Sequence, residues 1–324
     1  DDRKLLTFSD SVQDAAHRSG FFAARTWHNN VRMALTQLFD AHTGPMPLLA
    51  VPDRFEAFWL ADQGHSGRLA LPAYLREFMP PDKRFRSDFE QFEQTGLVTD
   101  PKPLLQLIRE RMLWQALEDL CWRAQVGRSL QRIGIAAISW PVAPMQRAAA
   151  AWCQEVDNEL GYQMAARQAE KFFLGLMQHL VFQGSVGLKA LSLYRHKAGR
   201  VFLLNKLGFT PPLGPKNPRP RFPGVKGGES LDSLVPKQGN SWVGNWLTCL
   251  NPDQLVDRKQ QELVLAAALD ALCTVGLLQQ DTTESGITLW MLVPEQLHIV
   301  TDLQAVQCPG HRVLHVPGDM ADLW

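Results

Sequence analysis

No uninterrupted apolar run of about 18 residues occurs anywhere in this 324-residue sequence, so it offers no membrane-spanning helix. No basic leader followed by an apolar stretch is legible at its start, and the cytoplasm is the expected location. Cysteine is scarce: five residues, an odd number, are scattered without the spacing of a disulfide framework, which fits a reducing compartment. Gly-x-x-x-x-Gly-Lys-Ser/Thr is missing, so no glycine-rich loop cradles a triphosphate. No Asp-Glu pair follows a strand to hold a metal, and no Gln-x-x-Gly-Arg-x-Gly-Arg string occurs. These residues alone are therefore not expected to hydrolyse ATP. Gly-x-Ser-x-Gly is absent too, the nine histidines are scattered, and no cysteine has a base partner by spacing, which leaves nucleophilic catalysis without a candidate.

A local absence says more. The net charge is zero, with 33 basic and 33 acidic residues, yet from Lys171 to Gly228 there is no Asp or Glu. Ten cations fall inside that stretch: Lys171, Lys189, Arg195, Lys197, Arg200, Lys206, Lys216, Arg219, Arg221 and Lys226. The remainder holds 23 basic against 33 acidic residues. Such asymmetry suits a surface that tracks phosphates, and equally a basic face docked on an acidic neighbouring domain. Within it, six prolines from Pro211 to Pro223 alternate with glycines and cations, which excludes helix and central strand. Arg219-Pro-Arg221-Phe222 could follow a nucleic-acid backbone in polyproline form with Phe222 stacking on a base, or serve as a solvated tether.

The apolar pattern predicts a mainly α chain with small β elements. With 45% apolar residues it can bury a real core, and its length allows about two domains. Phe21, Phe22, Trp27, Val31, Leu35 and Leu38 mark one helical face, ended at His42-Thr-Gly-Pro. Short helices follow around Phe55 to Phe78, and Phe85, Phe89 and Phe92 form a stripe that reads as core. Longer helices are predicted over Pro103–Trp122, around Ala148–Trp152, and over Phe172–Phe182 with Gly184 beyond the end. Trp242 and Trp246 read as packing residues on a short helical turn. Gln261–Thr274 reads as a helix with Leu263, Leu265, Leu269 and Leu272 inside. Strands at 277–280 and 287–293 flank the turn-rich tip Asp281–Gly286. Helices followed by a two-stranded ribbon read as a winged helix. Asp257, Glu262, Asp270, Asp281 and Glu284 leave its long helix and tip acidic or neutral, which favours a packing role there over direct DNA reading.

Cys308-Pro-Gly-His311, with His315 four residues on, has the only metal-like spacing. Thiolate plus imidazole suits Zn²⁺, but two ligands do not complete a site, and a plain turn explains the string as well.

Near the start, Leu5, Leu6 and Phe8 have the length of a buried strand that Ser9-Asp-Ser11 breaks into a helix. Ser11 can cap that helix with Asp14 three residues on, leaving backbone N–H groups suited to a phosphate oxygen. An ordinary strand-to-helix turn has the same chemistry. The string Leu6-Thr-Phe-Ser-Asp-Ser-Val-Gln-Asp-Ala-Ala16 resembles the motif that begins the second RecA-like domain in a group of large bacterial superfamily-two helicases of DEAD/DEAH-box type, some acting in DNA repair or phage defence. Arg123-Ala-Gln-Val-Gly-Arg-Ser-Leu-Gln-Arg-Ile-Gly134 and the stretch from Phe172 through Tyr194 to Phe202-Leu-Leu-Asn205 are similar to the helical pieces that follow in that group.

The resemblance implies residues 1–40 as the opening strand and helix of that domain, 41–210 as a helical insertion, 211–240 as a basic Pro/Gly-rich arm or linker, 241–301 as a winged-helix-like unit, and 302–324 as the start of a zinc-binding module. It implies ATP and Mg²⁺ in the intact protein only, with one motor domain before Asp1 and the arginine-bearing motif after Trp324, and zinc held with further cysteines downstream. No cofactor is expected on this fragment alone. Nucleic acid would be held by Ser9, Ser11, Gln13 and Arg128 and by Lys189, Arg195, Lys197, Arg200, Lys206, Arg219 and Arg221. Implied partners are DNA, single- or double-stranded, with RNA as an alternative, and the missing motor domains; no membrane is implied. The other class of function is a non-enzymatic winged-helix regulatory or protein-interaction module.

Overall fold

The structure is a computed structural model that describes residues 12–60, 69–79, 91–92, 94–97, 100–122, 129–189, 191, 220–226, 234–235, 241–254, 256–283, 286–308 and 312–324. Among them the chain is mainly helical with small antiparallel sheets, the class that the apolar periodicity predicts. The strand expected at residues 4–8 lies outside the described residues, as do Phe85 and Phe89.

Helix α1 (Val12–Ala41) buries Trp27, Val31, Ala34, Leu35, Leu38 and Phe39, positions three and four apart that share one face. A two-residue strand β1 (Met46–Pro47) leads into α2 (Val51–Trp59), and α3 (Leu71–Phe78) packs on it through aromatic rings, Phe55 to Phe78 at 4.8 Å and Trp59 to Phe78 at 5.7 Å. Helix α4 (Lys102–Leu120) starts with Pro103 in its first turn, where a missing N–H costs nothing.

The second half of helix α4 is largely buried, and this includes Arg111, Gln115 and Asp119. Spaced by four, these three form a polar ridge on one face, and α1 supplies what they require. Arg32 donates from Nε and Nη2 to the two carboxylate oxygens of Asp119, both at 2.8 Å. His28 Nδ1 lies 2.7 Å from Gln115 Oε1, while Gln115 Nε2 donates to Glu118 at 2.9 Å. The Arg111 guanidinium sits 5.0 Å from the Trp27 ring centroid. The pairs advance in the same sense on both helices, so α1 and α4 run parallel.

Strand β2 (Ala137–Ser139), helix α5 (Val142–Leu160) and helix α6 (Ala166–Gln183) follow; α5 ends at Gly161 and α6 at Gly184, both left-handed. Beyond strand β3 (Gly224–Lys226) come α7 (Trp242–Leu250), α8 (Arg258–Thr274) and the hairpin of β4 (Leu278–Thr282) with β5 (Ile287–Leu292). Helix α8 starts at Arg258 because Asp257 and Gln260 cap each other reciprocally. Leu263, expected inside, is 46% exposed; the buried face is Val264, Leu265, Ala268, Leu269 and Leu272.

Strand β6 (His298–Val300) then lies between β1 and β2, pairing Ile299 with Met46 on one side and Ile138 on the other. One short strand thereby ties the N-terminal helices to the C-terminal half. Residues 303–317 form a second hairpin, β7 (Leu303–Cys308) and β8 (Arg312–Pro317), which packs beside β2. A 3-10 turn at Gly318–Leu323 folds back on α6 and buries Met320 in the same core that contains Trp27.

Asp119→Ala would strand the Arg32 guanidinium in a half-buried seam. A loss of about 2 kcal/mol in urea unfolding is expected, below the full cost of breaking a buried pair because Arg32 keeps 27% of its side chain exposed. An Arg32→Leu/Asp119→Leu double variant should recover part of that loss.

Candidate nucleic-acid interface

Two parts of the basic segment, residues 183–189 and 220–226, meet at the C-terminus of α6. Gly184 adopts φ +68°, and a Cβ there would lie 2.5 Å from the Trp122 ring, so glycine alone fits both the turn and the approach. Ser185 is fully buried beyond it. Leu292 N–H donates to Ser185 O at 2.7 Å and Gly187 N–H donates to Leu292 O at 2.9 Å, with Val186 bridged in parallel to Leu292. The chain from Gly184 to Lys189 is thus stitched to β5. A Cβ on Gly187 would collide with the Gln279 amide on β4.

The returning chain is fixed at the same turn. Arg221 N–H donates to Gln183 O at 2.8 Å, Ser185 Oγ–H donates to Arg221 O, and Trp290 N–H donates to Pro223 O at 3.1 Å. Residues 224–226 then pair with β5 as an edge strand, giving the order β3–β5–β4. The proline-rich arm therefore ends by joining a sheet at its border, the one place in a sheet that tolerates such a sequence. Since Pro223 faces β5, alternation along an antiparallel pair turns the N–H groups of Gly224 and Lys226 outward.

Of the predicted site residues, Lys189 and Arg221 are described here, and both are exposed. The fold uses Arg221 through its backbone, which leaves the guanidinium in solvent. Phe222 is half-buried against the core, so its ring is packed and not held out for a base. Gln13 lies in the first turn of α1, where the backbone alone is described. Ser9, Ser11, Arg128, Arg195, Lys197, Arg200, Lys206 and Arg219 lie outside the described residues.

Cys308 ends β7 opposite Arg312, and His311 lies outside the described residues. His315 is drawn away from the tip: its ring covers Gly134, where a Cβ would lie 2.9 Å from it, and its carbonyl accepts from Gln131 Nε2 at 3.0 Å. Among the described residues no group of three or more His, Cys, Asp or Glu could hold a metal ion.

Two features escaped the sequence pattern. On α6, His179 stacks 4.7 Å from Trp242, has Gln183 Nε2 at 2.9 Å from its own Nε2, and is held neutral by burial, which lowers its pKa to about 4. Trp242 and Trp246 pack as predicted, Trp246 so close to Gly175 that a Cβ there would strike its indole. The second feature is a shallow groove of about 470 Å³ lined by Cys153, Gln154, Asp157, Gln163, Met164 and Ala165. Cys153 donates to Met164 O at 2.9 Å, and burial pushes its thiol pKa up. That protonated thiol is a poor nucleophile.

Comparison with protein-family models, with curated proteins and with solved structures finds no match.

Between about pH 6.5, where an unfolded histidine titrates, and about pH 4, where His179 does in the fold, the unfolded chain binds the extra proton. Stability should therefore fall as pH drops through that window, by up to about 1.4 kcal/mol per pH unit from this group. Urea titrations of the wild type and His179→Gln across pH 7 to 4 check this; the variant should show the shallower decline.

Proposed function

We propose that this chain is the nucleic-acid-gripping and coupling part of an ATP-dependent helicase or translocase of superfamily two, and that it does not itself turn over ATP. The observation that carries the reading is the joining of two features at one place. Both flanks of an acid-free segment with ten cations are fastened to the edge of a small sheet. That sheet has strand order β3–β5–β4, with α7 and α8 between β3 and β4 and α6 before them, the layout of a winged helix. Arg221, exposed where its backbone is fastened to this edge, would meet a phosphate at a lower ordering cost than a cation on a free tether.

The likeness of Leu6–Ala16 to the opening motif of a second RecA-like domain supplies the motor context. In the intact protein ATP and Mg²⁺ would belong to motor domains, and Ser9, Ser11 and Gln13 would meet the strand. Zinc would require ligands beyond Cys308 and His311. The long helix α1, keyed to α4 by the Arg32–Asp119 pair, is a direct mechanical path from that motif to the insertion.

A protein-interaction module is the second reading, favoured by α8. Trp152 Nε1–H on α5 donates to Val264 O at 3.0 Å, so the helix that would face DNA in a winged helix is packed against its own chain.

Fluorescence-anisotropy titration of the 324-residue chain with a forked oligonucleotide, over a salt series, separates the two. Binding that weakens steeply with salt, and is lost when Arg195, Lys197, Arg200, Arg219 and Arg221 are all replaced by Gln, is the expected result. No binding at low salt by folded protein would turn the basic segment into a docking face for a protein partner.

A further inference from the structure

A separable domain has its own core, and few contacts cross its border. The winged-helix-like unit meets neither condition. Among the described residues its apolar side chains belong to the same buried cluster as those of the helices before it, which runs from Phe55 on α2 through Ile138 and Trp152 to Leu269, Ile299 and Met320. Strand β6 makes the first crossing. It leaves the β4–β5 hairpin through the turn at Pro294–Gln296 and enters between β1 and β2, so that Ile299, 2% exposed, is flanked by Met46 on one side and Ile138 on the other. Leu48 N–H extends the contact by donating to Leu297 O at 2.9 Å. A strand paired on both edges leaves orphaned backbone groups on two neighbours if it is withdrawn.

Two further crossings lie away from that sheet. On α5, Trp152 donates to Val264 O of α8 at 3.0 Å while its ring stacks on Phe172 of α6 at 5.2 Å, which binds three helices through one side chain. Beyond α6, Ser185 and Gly187 hold both the N–H and the carbonyl of Leu292 on β5. A hinge between the winged-helix-like unit and the rest would have to break all three crossings at once. Resting on the helicase reading above for its functional consequence, we propose that β6 is a clasp that makes the helical insertion and the winged-helix-like unit one cooperative body. Movement driven by the motor domains then carries both together, and the winged-helix-like unit does not swing by itself.

The test is native-state hydrogen exchange on the 324-residue chain, read by mass spectrometry on peptides from α2 and α4 and on peptides from α8 and β5. The slowest amides of the two sets should open with the same protection, as expected of one cooperative unit. Two mild substitutions then probe the clasp from either side, Ala268→Gly on α8 and Ile299→Val on β6. Each should speed the slowest amides about fivefold or more, and equally in both sets. Acceleration by Ala268→Gly confined to the α8 and β5 peptides would overturn the proposal, because the winged-helix-like unit would then open alone. So would protection that differs more than about tenfold between the two sets and stays unequal in Ile299→Val. Neither result depends on nucleic acid, which the anisotropy titration reports, so the clasp and the helicase reading can fail separately.

Discussion

The turn at Gly184 is the constraint on which the C-terminal half depends. Within a few residues α6 stops, Ser185 and Gly187 bond to Leu292 on β5, and Gln183 and Ser185 bond to Arg221. These are main-chain bonds, or bonds from the fully buried Ser185 hydroxyl. Each would leave an orphaned polar group if broken, which costs more than the bond gains when made. Nothing larger than glycine fits at 184, because the left-handed backbone and the Trp122 ring both exclude a Cβ. From this one knot follow the position of β3, the edge of the sheet, and the shared exit and return point of the basic segment.

The N-terminal half is organised by a different economy. The second half of helix α4 is enclosed, so Arg111, Gln115 and Asp119 can be buried only against matched partners. Helix α1 meets them with Trp27, His28 and Arg32 in the same order along the chain. An apolar seam would tolerate sliding by a turn. A seam of directional bonds favours one register, since a shift would break the two-bond contact between the Arg32 guanidinium and the Asp119 carboxylate. The strand β6 between β1 and β2 then joins this half to the other through a few residues at the centre of a three-stranded sheet.

Helix α8 is committed to packing within its own chain. The acidic composition of α8 already spoke against DNA contact, and the packing of α5 over it gives the mechanical reason. The charge that the unit does offer is displaced to the sheet border, where Lys189 and Arg221 flank the basic segment. His179 packs against Gln183 and Trp242 one turn before Gly184, and burial holds it neutral with a pKa of about 4, which ties the stability of this part of the fold to its protonation.

The sequence by itself determined the local matters: the helices of α1, α4, α6 and α8, the stops at Gly184 and Gly276, the β4–β5 hairpin, the packing roles of Trp242 and Trp246, and the charge asymmetry. These depend on spacing and on backbone freedom, which neighbouring residues set. Tertiary structure alone decided the rest. Leu263 fits the apolar period, yet it faces solvent because α5 covers the adjacent arc of α8. Arg111, Gln115 and Asp119 are buried because α1 is laid on them. Gln183 and Arg221, thirty-eight positions apart, meet through a main-chain hydrogen bond. Contacts between residues distant in the chain depend on which surfaces meet when the core closes, and no local period encodes that choice.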